Sequence, residues 1–222
     1  MTTDPSKKAK PQGGYHHGDL RRELIKVARQ EIACHGSAGI TLSALSRLAK
    51  VSQGAPYRHF ENLSDLFEAL AVEGFEEACA AVDCALAQCK PEDELEAVAL
   101  AFVDYAERNL ELYRLMFASR LVPQAKDGSA LDIAADRSFE QLRCVVAKTS
   151  PPEAVQDDAI LIWAQLHGLL MLKADGLIAS PLSRFVKLSA CLPRSKPAGP
   201  PIACDGPPAL SSHELPQQAR QR

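Results

Sequence analysis

The sequence predicts an all-α chain, and three observations carry that prediction. Apolar residues recur three and four apart in one segment after another. No stretch alternates polar and apolar residues as a strand would. Ser, Thr, Asp or Asn heads several of the periodic runs, where a helix needs a capping oxygen. The composition, 46% hydrophobic and 24% charged over 222 residues, excludes wholesale disorder. The nearly apolar run at 160–172 carries Gln165 and His167 and falls short of the roughly 20 residues that cross a bilayer, so no membrane segment is expected. The first ten residues include three lysines with no apolar stretch behind them, which argues against a secretory signal and for the cytoplasm.

Residues 1–14 are polar, with Pro5, Pro11, Gly13 and Gly14, and read as a disordered basic arm. A first helix is expected from Asp19, a good cap, to just before Gly36, with Leu20, Leu24, Ile25, Ala28 and Ile32 on one face. Thr41 caps a second, short helix with Leu42, Leu45, Leu48 and Ala49 on one side. Ser52 caps a third short segment through Phe60, and Asn62 or Ser64 opens a long helix to about Cys89. Beyond Pro91, the residues Leu95, Val98, Ala99, Phe102, Tyr105 and Ala106 form one stripe that continues toward Tyr113, Leu115, Met116 and Phe117. Pro123 and Gly128 break the chain. Helices are expected over 131–147 and 153–173, with a last short one over 182–192. The stretch 160–172 is apolar nearly all round, so it should be buried against a partner, and a charge placed at Leu166 or Leu169 should disrupt the dimer or the fold. Residues 193–222 hold seven of the 15 prolines and few large apolar side chains, and read as a disordered tail.

Charge and cysteine narrow the chemistry. The net charge is −3, yet residues 1–60 carry ten Lys and Arg against four Asp and Glu, so a basic first quarter is attached to an acidic body. That asymmetry suits a polyanion, most naturally nucleic acid, at one end only. The seven cysteines include no Cys-x-x-Cys pair. Cys79, Cys84 and Cys89 turn by about 140° per step around a helix and cannot share a face, so neither a disulfide framework nor a metal cluster is expected. His16 and His17 lack further ligands at a useful spacing and read as solvated. No metal and no cofactor is expected.

Helix, short turn and helix over 41–49 and 52–60 is the geometry in which one helix crosses the DNA backbone and the next enters the major groove. Thr41 and Ser52 are placed to offer helix N-termini to phosphates. Gln53, Gly54, Ala55 and Arg58 are small or hydrogen-bonding residues where base edges come within reach, Tyr57 and His59 supply backbone-positioning donors, and Phe60 turns inward. Trp163 and His167 lie four apart on an apolar helix. That shared face lines an effector cavity or packs core and dimer, and periodicity does not choose between them. Phe102 and Tyr105 are further candidates for the cavity wall.

The run Tyr15-His-His-Gly-Asp-Leu-Arg-Arg, then Thr41-Leu, then Val51-Ser-Gln-Gly-Ala-Pro-Tyr-Arg-His-Phe60 resembles the DNA-binding domain of TetR-family transcriptional regulators. Trp163-x-x-x-His167-Gly168 resembles the carboxy-terminal type named for its Trp, His and Gly. The resemblance implies a three-helix helix-turn-helix domain over 15–62 and a larger helical ligand-binding and dimerisation domain over 63–192. It implies a homodimer on double-stranded DNA, at a palindromic operator, released by a small-molecule effector. It also implies base contacts from Gln53, Gly54 and Ala55 and phosphate contacts from Thr41, Tyr57 and His59, with Arg58 in either role. The chain departs from the family pattern in three places: Lys50 where a Gly is usual in the turn, Leu63 where a basic residue often opens the fourth helix, and Pro56 within the recognition segment. Two other readings stand beside it. An architectural helix-turn-helix protein without an effector would bind DNA without preference. An enzyme would need a catalytic motif, and no Gly-x-Ser-x-Gly, His-Glu-x-x-His or phosphate-cradling Gly loop occurs.

Overall fold

The computed structural model describes residues 17–117 and 120–189, so the expected arm at 1–14 and tail at 193–222 lie outside the described residues, as does His16. All regular structure among the described residues is helical. Helix α1 (His17–His35) is already helical at the first described residue, so Asp19 lies within it, and it buries Leu24, Ile25, Ala28 and Ile32, the expected face. Gly36 ends it at φ 72°, its N–H closing on the Ile32 carbonyl at 2.8 Å. Helix α2 (Leu42–Leu48) starts where Thr41 Oγ1 accepts the Ala44 N–H at 3.1 Å. Its buried stripe is Leu42, Leu45 and Ala49, with Ser46 satisfied by donating to the Ser43 carbonyl at 2.8 Å. Leu48, expected on that stripe, is exposed instead, because it lies beyond Leu45 at the edge of the stripe, about 120° around the helix from Leu42 and about 100° from Ala49.

The turn after α2 explains the Lys50 departure. The Val51 N–H bonds to the Ser46 carbonyl (2.9 Å) and the Lys50 N–H to the Arg47 carbonyl (3.1 Å), the paired bonds of a Schellman ending that requires a left-handed residue between them. Lys50 takes that position at φ 55°, the one non-glycine with positive φ among the described residues. The expected third α-helix is a correction: residues 52–60 form a turn, with the Ala55 N–H on the Ser52 carbonyl (2.9 Å), and then a single 3-10 turn, Pro56–Arg58. Pro56 has no N–H to close an α-helical bond onto Ser52, so Ser52 caps nothing.

Helix α3 (Leu63–Leu86) is opened by a reciprocal cap, with Asn62 Oδ1 accepting the Asp65 N–H (3.1 Å) and the Asp65 carboxylate accepting the Glu61 N–H (2.8 Å). Helix α4 (Glu94–Arg108) and helix α5 (Leu110–Phe117) divide what periodicity reads as one stripe. The break is at Asn109, whose Nδ2 donates to the Tyr105 carbonyl at 2.9 Å and offers the backbone an alternative to continued helix. A one-turn helix, α6 (Leu121–Gln124), follows where only a break was expected, with Pro123 in a first turn that needs no N–H from it. Helix α7 (Ala130–Val146) is capped by Ser129, helix α8 (Val155–Ala174) follows a 3-10 turn at Pro152–Ala154, and α9 (Ser183–Ser189) is the last described.

Two cores organise these helices. The first gathers α1, α2, Phe60 and the front half of α3 (Leu66, Leu70, Phe75) with Leu112, Leu115 and Met116 of α5. The second joins the rear of α3 and α4 to Leu142 and Val146 of α7 and to Ala159, Ile162, Leu166 and Leu170 of α8, and takes in Tyr113 of α5. Gly74 lets α5 approach α3, since a Cβ there would lie 2.6 Å from Met116 Sδ. Leu166 is 2% exposed within the protomer's own core, where a charge would disrupt the fold, whereas Ile160, Leu161 and Leu172 stay exposed on the far side of α8. Replacing the left-handed lysine, Lys50→Gly, should raise stability by up to about 1 kcal/mol, seen as a higher urea midpoint at unchanged slope; a lower midpoint would mean that the turn carries no strain.

Candidate nucleic-acid interface and the site behind it

The segment between α2 and α3 is held by two inward anchors four residues apart. Pro56 is buried, and Phe60 is buried in the first core with the Arg21 guanidinium 5.3 Å from its ring centroid. Most of the residues between and before them consequently point outward: Ser52, Gln53, Gly54 and Arg58 are exposed and Tyr57 is 55% exposed, whereas Ala55 and His59 are half-buried and the His59 Nε2 atom lies inside. Gly54 needs its missing side chain for nothing inside the protein, since an added Cβ would meet no atom within 4 Å. Thr41 is exposed at the head of α2, its oxygen committed to the cap and its hydroxyl proton free to be donated. Every residue expected to contact DNA therefore lies in one short segment or at the adjoining helix start.

Behind this face, a polar cluster ties α1 to the larger body. Arg29 of α1 pairs through two nitrogens with the Glu77 carboxylate of α3 and reaches Asn109 Oδ1 at 3.4 Å, while the Tyr105 hydroxyl donates to Glu77 at 3.1 Å. The Arg29 guanidinium holds the Glu77 carboxyl below its ordinary value, and burial followed by the Glu77 charge pushes the Tyr105 phenol up. Tyr105 thus belongs to this junction. It does not stand with the other expected cavity residues.

Those others converge. Trp163 and His167 of α8 stack with centroids 5.5 Å apart, and the Tyr113 hydroxyl lies 2.7 Å from His167 Nδ1. Phe102 stands edge-on to Tyr113 at 6.0 Å, and Phe139 of α7 edge-on to Trp163 at 6.4 Å. Burial alone lowers the His167 imidazole and raises the Tyr113 phenol, with no neighbouring charge contributing to either. Tyr113 and Phe117, which the sequence places only on an apolar stripe, and Phe139, which no spacing singles out, join this cluster. The signal present, Tyr113 and Phe117 four apart on an apolar stripe, does not say which core they enter.

Comparisons with known proteins match two successive segments of the chain. Residues 24–70 match the family described as bacterial regulatory proteins, tetR family, and residues 95–187 match the tetracyclin repressor-like C-terminal domain, together more than half of the chain. The chain is a TetR-family transcriptional regulator. This regulator is 29% identical over 173 residues to the nucleoid occlusion factor SlmA of Sodalis glossinidius, covering 75% of the chain and 83% of that protein. It is 45% identical over 47 residues to the probable acrEF/envCD operon repressor of Escherichia coli K12, covering 21% of each. A solved protein of unknown function from Rhodococcus sp. RHA1 shares the fold at a TM-score of 0.69 and 29% identity, over 81% of this chain and 95% of that one. No described helix of the regulator is long and apolar enough to cross a membrane.

Because the Glu77 carboxyl is depressed in the folded regulator, the unfolded chain takes up its proton first on acidification. Stability contributed by the Arg29–Glu77 pair is present near neutrality and is lost as pH falls through the lowered value. Glu77→Gln should flatten that acid limb in urea unfolding followed from neutral pH to about pH 3; parallel curves for both proteins would show that the pair adds nothing.

Proposed function

We propose that this regulator is a homodimeric repressor, working in the cytoplasm or on the nucleoid, that holds a palindromic operator and is released by a small molecule. The observation that carries it is the outward display of Ser52, Gln53, Gly54, Tyr57 and Arg58 on a segment pinned by Pro56 and Phe60. Rigid pinning matters because base readout needs side chains pre-positioned within a groove, whereas phosphate contacts supply affinity and register. Gln53, Gly54 and Ala55 then meet base edges, with Gly54 admitting the backbone close to the groove floor. Thr41, Ser52, Tyr57 and His59 meet phosphates, and Arg58 reaches either. Residues 15–62 serve as the reading domain and 63–192 as the effector and dimerisation domain.

Dimerisation is supported by the far side of α8, where Leu161, Ala164, Gly168 and Leu172 share a face and Leu161 is 55% exposed. Ala164 and Gly168 make a flat strip between two leucines, and an added Cβ at Gly168 would meet nothing within 4 Å, so a second helix can approach closely. Two copies paired there offer two reading segments to half-sites about 34–36 Å apart, one turn of duplex. The effector acts at the Trp163, His167 and Phe102 cluster, consistent with a Trp-His-Gly type of carboxy-terminal domain. It binds more tightly to the DNA-free conformation, because a ligand shifts an equilibrium only through its differential affinity for the two states. The protein is not an enzyme in this reading.

Selection of duplexes from a random pool by the full chain should yield an inverted repeat; recovery without preference would defeat the reading. On the selected duplex, Tyr57→Ala should weaken binding to all sequences alike, whereas Gln53→Ala should relax preference at one base position by about 1–3 kcal/mol. Equal losses across every sequence from both variants would remove Gln53 from the bases. Leu161→Asp should give a folded monomer by sedimentation; a stable dimer would place the interface elsewhere.

A further inference from the structure

The aromatic cluster behind the DNA-reading domain already has an occupant. The Phe117 ring sits among the others, with centroids 4.7 Å from Tyr113, 5.2 Å from Phe75, 5.6 Å from His167, 6.3 Å from Trp163 and 6.4 Å from Phe102. Its neighbours differ in how firmly they are held. Phe75 and Tyr113 are each 1% exposed and locked in the two cores, whereas Phe117, Trp163 and His167 are half-buried, so the cluster meets solvent on their side. Phe117 is the last described residue of α5, and its ring is less buried than Leu112, Tyr113, Leu115 and Met116 of the same helix. We propose that Phe117 fills an aromatic ligand site walled by Trp163, His167, Phe102 and Phe75, and that the effector is a planar, uncharged aromatic molecule that takes its ring's place.

The chemistry of the walls selects the ligand. Stacked and edge-on rings at these separations favour another flat π-system, which recovers the contacts Phe117 gives up. Charge is disfavoured, because the described side chains around Phe117 are rings, Tyr113 and His167 bond to each other, and an ion left without a counter-charge in such a site loses its hydration without compensation. Displacement has a direct consequence for α5. Leu112, Leu115 and Met116 on its other side lie in the core shared with α1 and α2, so a ligand that expels Phe117 disturbs the seat of the DNA-reading domain. The inference rests on the reading of this protein as an effector-released regulator.

The chain has a single tryptophan, so fluorescence reports Trp163 alone. Purified full-length protein would be titrated with 4-nitroaniline, an uncharged planar probe that absorbs where tryptophan emits, and with 4-nitrobenzoate and 4-nitrobenzylammonium as anionic and cationic counterparts. Free N-acetyltryptophanamide corrects for absorption by the probes. Saturable quenching by 4-nitroaniline is expected, at least about tenfold weaker for either ion, and Phe117→Ala should tighten it at least about fivefold by removing the built-in competitor. Phe117→Leu, which keeps most of the volume without the flat ring, should tighten it at least about threefold and serves alone if the alanine variant loses its helical circular dichroism. No saturable quenching, equal binding of the ions, or unchanged or weaker binding in the variant that folds would overturn the proposal. Selection of a duplex from the random pool is independent of these readings. Failed quenching with a duplex still selected removes the aromatic site alone, whereas failed selection with quenching retained removes the regulator reading and the effector role with it and leaves a ring-binding site.

Discussion

A helix packed on both sides is the constraint from which the rest of this structure follows. Helix α5 sends Leu112, Leu115 and Met116 into the core that holds the DNA-reading helices, and Tyr113 and Phe117 into the aromatic cluster of the larger domain. Close packing transmits displacement because interiors have few voids in which a shift could be absorbed. The front and rear halves of α3 likewise belong to different cores, so one continuous helix and one short one join the two regions. Neither region can rearrange its half of α5 without moving the other.

Polar groups reinforce this joint. Arg29 is carried by the DNA-reading part, Glu77 by the helix that spans both cores, and Tyr105 and Asn109 by the body, and their hydrogen bonds close a circuit around the start of α5. Glu77 is exposed, so its ion pair alone would be worth little, but its carboxylate accepts bonds from both Arg29 and Tyr105, and the cost of separating them falls on several groups at once. The Asn109 break that makes α5 a separate element is part of the same circuit.

The reading segment shows how a local irregularity becomes useful. Pro56 prevents a regular α-helix at 52–60, leaving a turn and one 3-10 turn whose stiffness comes from burying Pro56 and Phe60 in the first core. The side chains left over are held outward by that burial, and a left-handed Lys50 sets the angle at which the segment leaves α2. Tight geometry here thus depends on the core beneath the segment more than on hydrogen bonds within it.

Helical periodicity, capping residues and the basic first quarter were legible in the chain itself, because spacing, cap chemistry and charge act within a few residues. On that ground Leu24, Ile25, Ala28 and Ile32, the Thr41 and Asn62 caps and the exposed set around Gln53 and Tyr57 were all recognisable. The positive φ of Lys50 could be anticipated from the turn it occupies. What required the assembled structure was which apolar face meets which neighbour. Leu166 and Leu161 look alike in a uniformly apolar helix, yet one is core and the other solvent-exposed; Tyr105 and Tyr113 lie on one apparent stripe, yet the Asn109 break sends one to Glu77 and the other to His167. Those outcomes depend on contacts between residues tens of positions apart, where local spacing carries no information and only packing decides.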